Sequence, residues 1–433
     1  MSAPGTSSAP GAAAAVPPQV LVAGGGMITA DLILPSLYHL QRLGRIGAIT
    51  VCALGSAPLK ALAENEPIRA AFPGSSFTPR PPLSTPPEQK APDLFSRLVK
   101  EMPPRQVAVI AVPDPLHHEL VMQALRSDQH VICVKPLVLR GEHAVEIERE
   151  ARRRGLFVGV EYHKRFDRRS LVARRDYRAG KFGEFRFGEA RLMEPYYYRR
   201  SNFQNWFLPE ATDPFTYVGC HYVDLAMFIT GLRPVEVAVS GVRGTFPNGN
   251  EGILWSLASV RWDNGALLSV ANGLGYPDHA AGSNDQGLVM YCEGPESSGM
   301  IVHDDHHRGV AHSYLEPRDA DGPRYSYVSP DFFRLVPWEG EGLRPIGYGF
   351  DSIEALVAAV RRVEDAASGL AGGAARQARV EALRAIDEAA LVATPANSAA
   401  NDLVVEAGRI SITHGGKPVR IEWSGSSGRV ATA

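Results

Sequence analysis

The run Val20-Leu21-Val22-Ala23-Gly24-Gly25-Gly26-Met27-Ile28-Thr29 constrains this chain more than any other segment. Apolar residues with strand character enter a glycine turn, and the spacing of Ile33, Leu34, Leu37 and Leu40 behind it predicts a helix with one buried face. A strand that turns through glycine directly into a helix opens a βαβ unit, and the amides at such a helix start can cradle a pyrophosphate. Gly24 permits the tight turn and Gly26 the close approach of phosphate, with Met27 and Ile28 beside them. Thr29 stands where a third glycine would complete the fingerprint.

Downstream, strands are expected at 49–54, 107–112, 131–134 and 156–160, with helices at 93–101, 117–126 and 142–154, a rhythm that predicts an α/β domain with a parallel sheet. Seven prolines between residues 73 and 92 argue for an exposed, stiff loop inserted in that domain and without regular structure. The strand predicted at 131–134 ends in Lys135-Pro136. It thus delivers one ammonium to the carboxyl edge of the sheet, where open α/β folds bind their ligands. Such a cation can stabilise an alkoxide that develops as a carbinol loses hydride, and it lowers neighbouring pKa values.

The segment 213–229 reads as a mostly apolar helix from about Phe215, yet Tyr217, His221 and Asp224 recur at i, i+4 and i+7 and so share a face. A polar stripe on a buried helix can hold a hydroxylated ligand, and phenol and imidazole can carry protons. From residue 183 onward short strands follow one another at 185–192, 235–242, 254–262, 266–271, 287–293 and 300–303, which predicts a mostly antiparallel sheet. Helices are expected at 352–367, 374–390 and 399–412 and a last strand at 419–423. The domains expected are a tail at 1–18, a dinucleotide-binding domain at 19–160, an α+β domain for substrate and oligomerisation at 161–425, and a tail at 426–433. The active site then falls in the cleft between the two domains.

The balance of charge excludes some partners. A net charge of −2 offers no basic footprint for nucleic acid or an anionic membrane. No run of about 18 apolar residues suggests a membrane span. Cys52, Cys133, Cys220 and Cys292 have no short metal spacing and read as free thiols of a reducing compartment, so the cytoplasm is expected. The cluster His303-Asp304-Asp305-His306-His307, with His312 nearby, reads as a polar loop at the rim of the second domain; adjacent residues in an extended segment diverge, and no metal is assigned.

VLVAGGGMIT, VPDPLHHEL, VKP and YHKRF together resemble the glucose-fructose oxidoreductase, inositol dehydrogenase and rhizopine-catabolism family (Gfo/Idh/MocA) over the first 190 residues. The resemblance implies a Rossmann domain, a second domain built on a large sheet that pairs between subunits as a homodimer or homotetramer, and Lys135 beside the nicotinamide. It implies cofactor contacts from Pro113, Asp114 and His117, and from the crossover at Tyr162, His163 and Arg165. His221 and Asp224 match the family's acid/base pattern. Tyr217 stands at that pattern's first acid and Val134 at the glutamate that usually precedes Lys-Pro. Two mechanisms stay open: His221 takes the proton while Lys135 and Tyr217 hold the oxygen, or Tyr217 is the acid/base with its pKa depressed by Lys135. His221 is favoured because imidazole needs little tuning near neutrality.

No acid ends the second strand to hold ribose hydroxyls, and only Ser56 and Lys60 offer contacts there, so the cofactor is NAD or NADP, with NAD favoured. The expected activity is hydride transfer between nicotinamide and a carbinol of a sugar, glycoside or cyclic polyol. The alternatives are a cofactor-cycling glycoside hydrolase or epimerase and a non-catalytic dinucleotide sensor.

Overall fold

The computed structural model describes residues 16–280, 284–294, 298–305, 309–314, 324–328 and 331–431. The first sheet contains β1 (Val20–Ala23), β2 (Ile49–Cys52), β3 (Thr78–Arg80), β4 (Val107–Ile110), β5 (His130–Val134) and β6 (Val158–Glu161). Their spatial order is β3-β2-β1-β4-β5-β6, and every pair is parallel. Chain direction across the sheet reverses between β1 and β4, so the carboxyl ends of those two strands open a crevice. The residues of β1 and β4 are buried on both faces, which explains why they are apolar runs rather than alternating patterns.

Two expectations are corrected here. The proline-rich insertion is not wholly irregular: Thr78–Arg80 pairs with β2. Pro79 is tolerated because β3 is an edge strand, where a missing N–H costs no ladder bond. The first domain is also discontinuous. Helices Tyr348–Ala366 and Gly372–Ala389 bury Ile353, Leu356, Val357, Leu383 and Ile386 in one core with β1, β2, β4 and the helix Leu34–Arg42, so they belong with the Rossmann sheet rather than the second domain.

The second sheet has ten strands: β7 (Glu184–Pro195), β8 (Pro234–Thr245), β9 (Glu251–Trp262), β10 (Leu267–Tyr276), β11 (Asp285–Glu293), β12 (Ser298–Asp304), β13 (Gly309–Tyr314) and β14 (Arg324–Val328), then, after the small pair β15 (Arg334–Pro337) and β16 (Leu343–Ile346), β17 (Val419–Ser424) and β18 (Ser427–Val430). All its pairings are antiparallel except β7 with β10. β18 occupies residues expected to be a tail. The helices Cys220–Thr230 and Pro395–Thr413 cover one face of this sheet, burying Tyr222, Val223, Leu225, Val404 and Ala407 against it. Four cysteines are free and buried, and no described helix is long and apolar enough to cross a membrane.

Gly24 has φ +107°, and a Cβ built on it would lie 2.0 Å from the carbonyl oxygen of Ala111, just beyond β4. Only glycine lets β1 turn that close to its neighbour. Thr29, at the position of the third glycine, is fully buried, and its hydroxyl donates to the Gly24 carbonyl at 2.7 Å and braces the turn. Gly24→Ala combines a forbidden φ with a backbone clash, and it is expected to cost about 3 kcal/mol or more in denaturant unfolding.

Candidate active site

Lys135 leaves β5 half-buried and reaches across to the second domain. Its Nζ donates to the backbone carbonyl of Tyr217 and lies 3.8 Å from the centroid of the Tyr217 ring. That carbonyl belongs to a π-helical turn, Phe215–Gly219, which leads into the α-helix Cys220–Thr230. A second π turn, Thr29–Ile33, begins the helix behind the glycine loop. π turns widen the backbone and often mark functional sites; here both flank the cleft. The Tyr217 ring stands edge-on to Phe203, Trp206 and Phe207 at 5.0, 5.9 and 5.8 Å, forming an aromatic wall. Met27, from the glycine turn, packs on the same cluster and meets the Tyr197 hydroxyl at 3.9 Å.

Electrostatics disfavour both expected proton carriers. Burial, then the nearby His163, Lys135 and Lys164, pushes the His221 imidazole well below its usual range. Its Nδ1 is buried and has no hydrogen-bond partner among the described residues. Burial, with Glu194 and Asp114 nearby, pushes the Tyr217 phenol well above its ordinary value. The expectation that Lys135 depresses that phenol is therefore corrected: the ammonium is spent on the ring face and the carbonyl. His221 likewise needs more tuning than expected, because it is only 4% exposed.

Asp224 is not an available acid. Both its oxygens accept from Arg165, at 2.6 and 2.7 Å, and the pair is almost fully buried. Asn397 accepts a third bond from the same guanidinium at 3.0 Å. Arg165 is thereby corrected from cofactor contact to interior clamp, and Tyr162 is equally interior, its hydroxyl accepting from Asn401 at 2.9 Å. Asp114 accepts from the Thr212 hydroxyl at 2.9 Å, a second buried tie between the domains. His117 is fully buried, with Nδ1 and Nε2 each 2.8 Å from a carbonyl oxygen, of Pro136 and Val112. These two side chains frame the loop around Pro113 and Lys135 from inside instead of facing the cleft. Ser56 turns away as well, donating to Thr85 in the proline-rich segment at 2.6 Å. What stands next to Gly55 instead is Lys90, whose Nζ lies 3.0 Å from where a Gly55 Cβ would be and donates to Pro87.

The turn itself fits a dinucleotide. A Cβ on Gly26 would meet nothing within 4 Å, so that backbone opens onto free space at the helix start, as a phosphate cradle requires. Gly24, Gly26, Met27, Ile28, Pro113 and Lys135 gather around this crevice at the ends of β1, β4 and β5.

Two residues near the site, Glu161 and Glu194, were not singled out in the sequence, and a third, Asp305, is placed differently from its expectation. Glu161 ends β6 and its carboxylate oxygens lie 3.0 and 3.1 Å from Nδ1 of His163. Glu194, near the end of β7, is raised by burial and drawn back by Lys135 and by a hydrogen bond from Asn284. Asp305, expected on a polar rim loop, is turned inward to Arg169 and Lys164; His306 and His307 lie outside the described residues, as does the side chain of His312.

A parallel α/β domain with a glycine cradle, joined through an ammonium-bearing cleft to a large mixed sheet, defines a two-domain dinucleotide-binding protein. Residues 19–162 match the profile of an oxidoreductase family with an NAD-binding Rossmann fold, and residues 171–294 match the GFO/IDH/MocA C-terminal domain. The chain belongs to the Gfo/Idh/MocA oxidoreductase family, and its first domain is the family's NAD-binding Rossmann domain. It is 27% identical over 135 residues to the D-glucoside 3-dehydrogenase of Escherichia coli, covering 30% of this chain and 37% of that protein. With the inositol 2-dehydrogenase of Rubrobacter xylanophilus it shares 27% over 250 residues, 55% of this chain and 65% of the relative. An uncharacterized oxidoreductase of Schizosaccharomyces pombe is matched over 34% of its length, so the chain spans about a third to two thirds of these relatives. In fold it resembles levoglucosan dehydrogenase in complex with NADH and L-sorbose, with a TM-score of 0.61 at 17% identity over 93% of this chain and 98% of that one. An Agrobacterium radiobacter oxidoreductase in complex with NAD+, L-tartaric acid and magnesium gives a TM-score of 0.60 at 16% identity, with coverages of 93% and 98%.

Two measurements test this geometry. Asp224→Ala strands the buried Arg165 charge and is expected to cost about 3–5 kcal/mol in chemical unfolding. Lys90→Ala is expected to weaken binding of NADP+ by up to about fivefold, the range of an exposed ion pair, and to leave NAD+ affinity unchanged when both are titrated by fluorescence.

Proposed function

We propose that this protein transfers hydride between a nicotinamide dinucleotide and a carbinol carbon of a sugar, glycoside or cyclic polyol. The observation that carries the reading is the placement of Lys135: its ammonium stands at the carboxyl edge of the sheet beside the dinucleotide turn and faces the aromatic wall of the second domain. The bound nicotinamide supplies a two-electron hydride acceptor or donor. Backbone amides after Gly24 and Gly26 would hold the pyrophosphate of a bound dinucleotide, with the Pro113 loop beside it. Lys135 moves its hydrogen bond from the Tyr217 carbonyl to the carbinol oxygen and stabilises the alkoxide as it forms. Trp206, half-buried at the margin of this aromatic wall, offers a ring against which the apolar face of a sugar can pack.

The substrate class is drawn from the relatives named above together with this wall. The outer face of the ten-stranded sheet exposes Phe187, Val242, Trp255, Leu257 and Tyr291, and we assign it to a second copy of the chain, making a dimer or a tetramer.

The test is a single turnover, following nicotinamide absorbance against a panel of sugars and cyclic polyols, with Lys135→Met in parallel. The expected outcome is a substrate-dependent absorbance change that falls by at least about a hundredfold in the variant while dinucleotide binding persists. A wild-type protein that binds dinucleotide and never exchanges hydride would instead be a sensor, and product without net reduction would indicate a cofactor-cycling enzyme.

A further inference from the structure

We propose that Glu161 and His163 form the acid–base couple of this cleft, with His163 taking the carbinol proton at Nε2 and Glu161 compensating the charge that results. The inference rests on the hydride-transfer reading above and names the group that reading leaves open.

The placement comes from the sheet. β6 ends at Glu161, which is in register with Val134 of β5, the residue just before Lys135. A carboxylate and an ammonium thus leave neighbouring strands, about 4.8 Å apart, at the same edge. The Glu161 side chain is 2% exposed, and both its oxygens face Nδ1 of His163. A buried carboxylate in that position holds the proton on Nδ1 and leaves the Nε2 lone pair on the opposite side of the ring. The hydrogen bonds of the ring run through Nδ1, and the side chain is 13% exposed.

The surroundings suit an imidazole that changes charge. Its ring lies 4.4 Å from His221, 4.9 Å from Phe332 and 5.6 Å from Tyr348, so aromatic faces enclose it. The titratable groups that face it are Glu161 on β6, His221 on the helix Cys220–Thr230 and Tyr348 on the helix Tyr348–Ala366. Behind them Lys164 is committed to Gln286 and Asp305, over the ring of Tyr222. Nδ1 of His221 has no partner among the described residues, and Asp224, one helical turn beyond His221, is spent on Arg165. His221 then serves as a neutral ring that shapes the His163 face.

In the step, the carbinol O–H bond breaks as an N–H bond forms at His163 Nε2. The C–H electron pair leaves with its hydrogen as hydride to the nicotinamide, and the carbon–oxygen double bond closes. The proton passes afterwards from Nε2 to water, and the reverse direction returns it to the oxygen.

The experiment is the single-turnover rate of His163→Ala and of the near-isosteric His163→Asn, with and without added imidazole, alongside dinucleotide affinity and Glu161→Gln. We expect both His163 variants to lose about a hundred- to ten-thousand-fold in rate at saturating dinucleotide, and the alanine variant to regain rate in proportion to added imidazole. Glu161→Gln should lose less and not respond to imidazole. Full rate in either His163 variant, or a loss that imidazole leaves untouched while dinucleotide affinity holds, overturns the assignment and leaves hydride transfer standing. A wild-type protein that binds dinucleotide without reducing it for any carbinol overturns both.

Discussion

The buried pair of Arg165 and Asp224 is the interaction on which the rest of this architecture depends. Arg165 lies on the crossover out of the Rossmann sheet, Asp224 on the helix that carries His221, and Asn397 at the start of the helix Pro395–Thr413. One guanidinium therefore fixes three segments from both domains. Two charges so deeply buried gain little net stability over an apolar packing of the same shape, because desolvation offsets most of their attraction. Their contribution is to geometry: a planar fork meets a carboxylate in one orientation, and a helix rotated away from it would leave a bare charge inside. Thr212 with Asp114, and Asn401 with Tyr162 and the Cys220 carbonyl, tie the same junction with neutral or singly charged bonds.

With the junction fixed, the Lys135 ammonium stands near side chains for which burial disfavours the charged form. The phenols of Tyr198 and Tyr217 are pushed well above their ordinary range, chiefly by desolvation, and the imidazole of His221 well below. Lys135 retains a ring face and a carbonyl as partners. Both are weaker competitors than a carboxylate for a cation that must reach a developing alkoxide. The replacement of an acid by Val134 thus leaves the ammonium loosely held on its own strand, while the neighbouring strand carries the carboxylate of Glu161 and spends it on an imidazole.

Much of this was legible in the sequence, and the reasons for the remainder are local. The glycine turn was readable because only glycine suits the approach of Gly24 to Ala111, and the helix His117–Arg126 because its apolar spacing is regular. The parallel strands β1 and β4 read clearly because they are buried on both faces, whereas β3 is short, exposed and set among prolines. Periodicity could not show that a π turn falls between Tyr217 and His221 and changes the residues per turn there, nor that Asp224 is met by Arg165 rather than facing the cleft. Glu161 was passed over because it was placed one residue beyond the expected strand, where a carboxylate reads as solvated. Asp305 sat in a string of polar residues, and nothing local marks which of them turns inward to Arg169. Membership of distant helices in the first core depends on contacts some 300 residues apart, beyond any window of sequence pattern.

That discontinuity has a consequence for how the protein is made. A ribosome releases β1 to β6 long before it has synthesised the helices Tyr348–Ala366 and Gly372–Ala389 that cover one face of their sheet. Until then Val20, Val22, Val107, Val109 and Ile132 lack the cover that Ile353, Leu356 and Val357 later provide. Each such side chain forgoes about 1.5–3 kcal/mol of burial. The Rossmann half therefore has to wait for its own closing helices, and the whole second domain is synthesised during that wait. Transiently exposed apolar surface favours aggregation, so the interval before these helices emerge is when the chain has most apolar sheet surface uncovered.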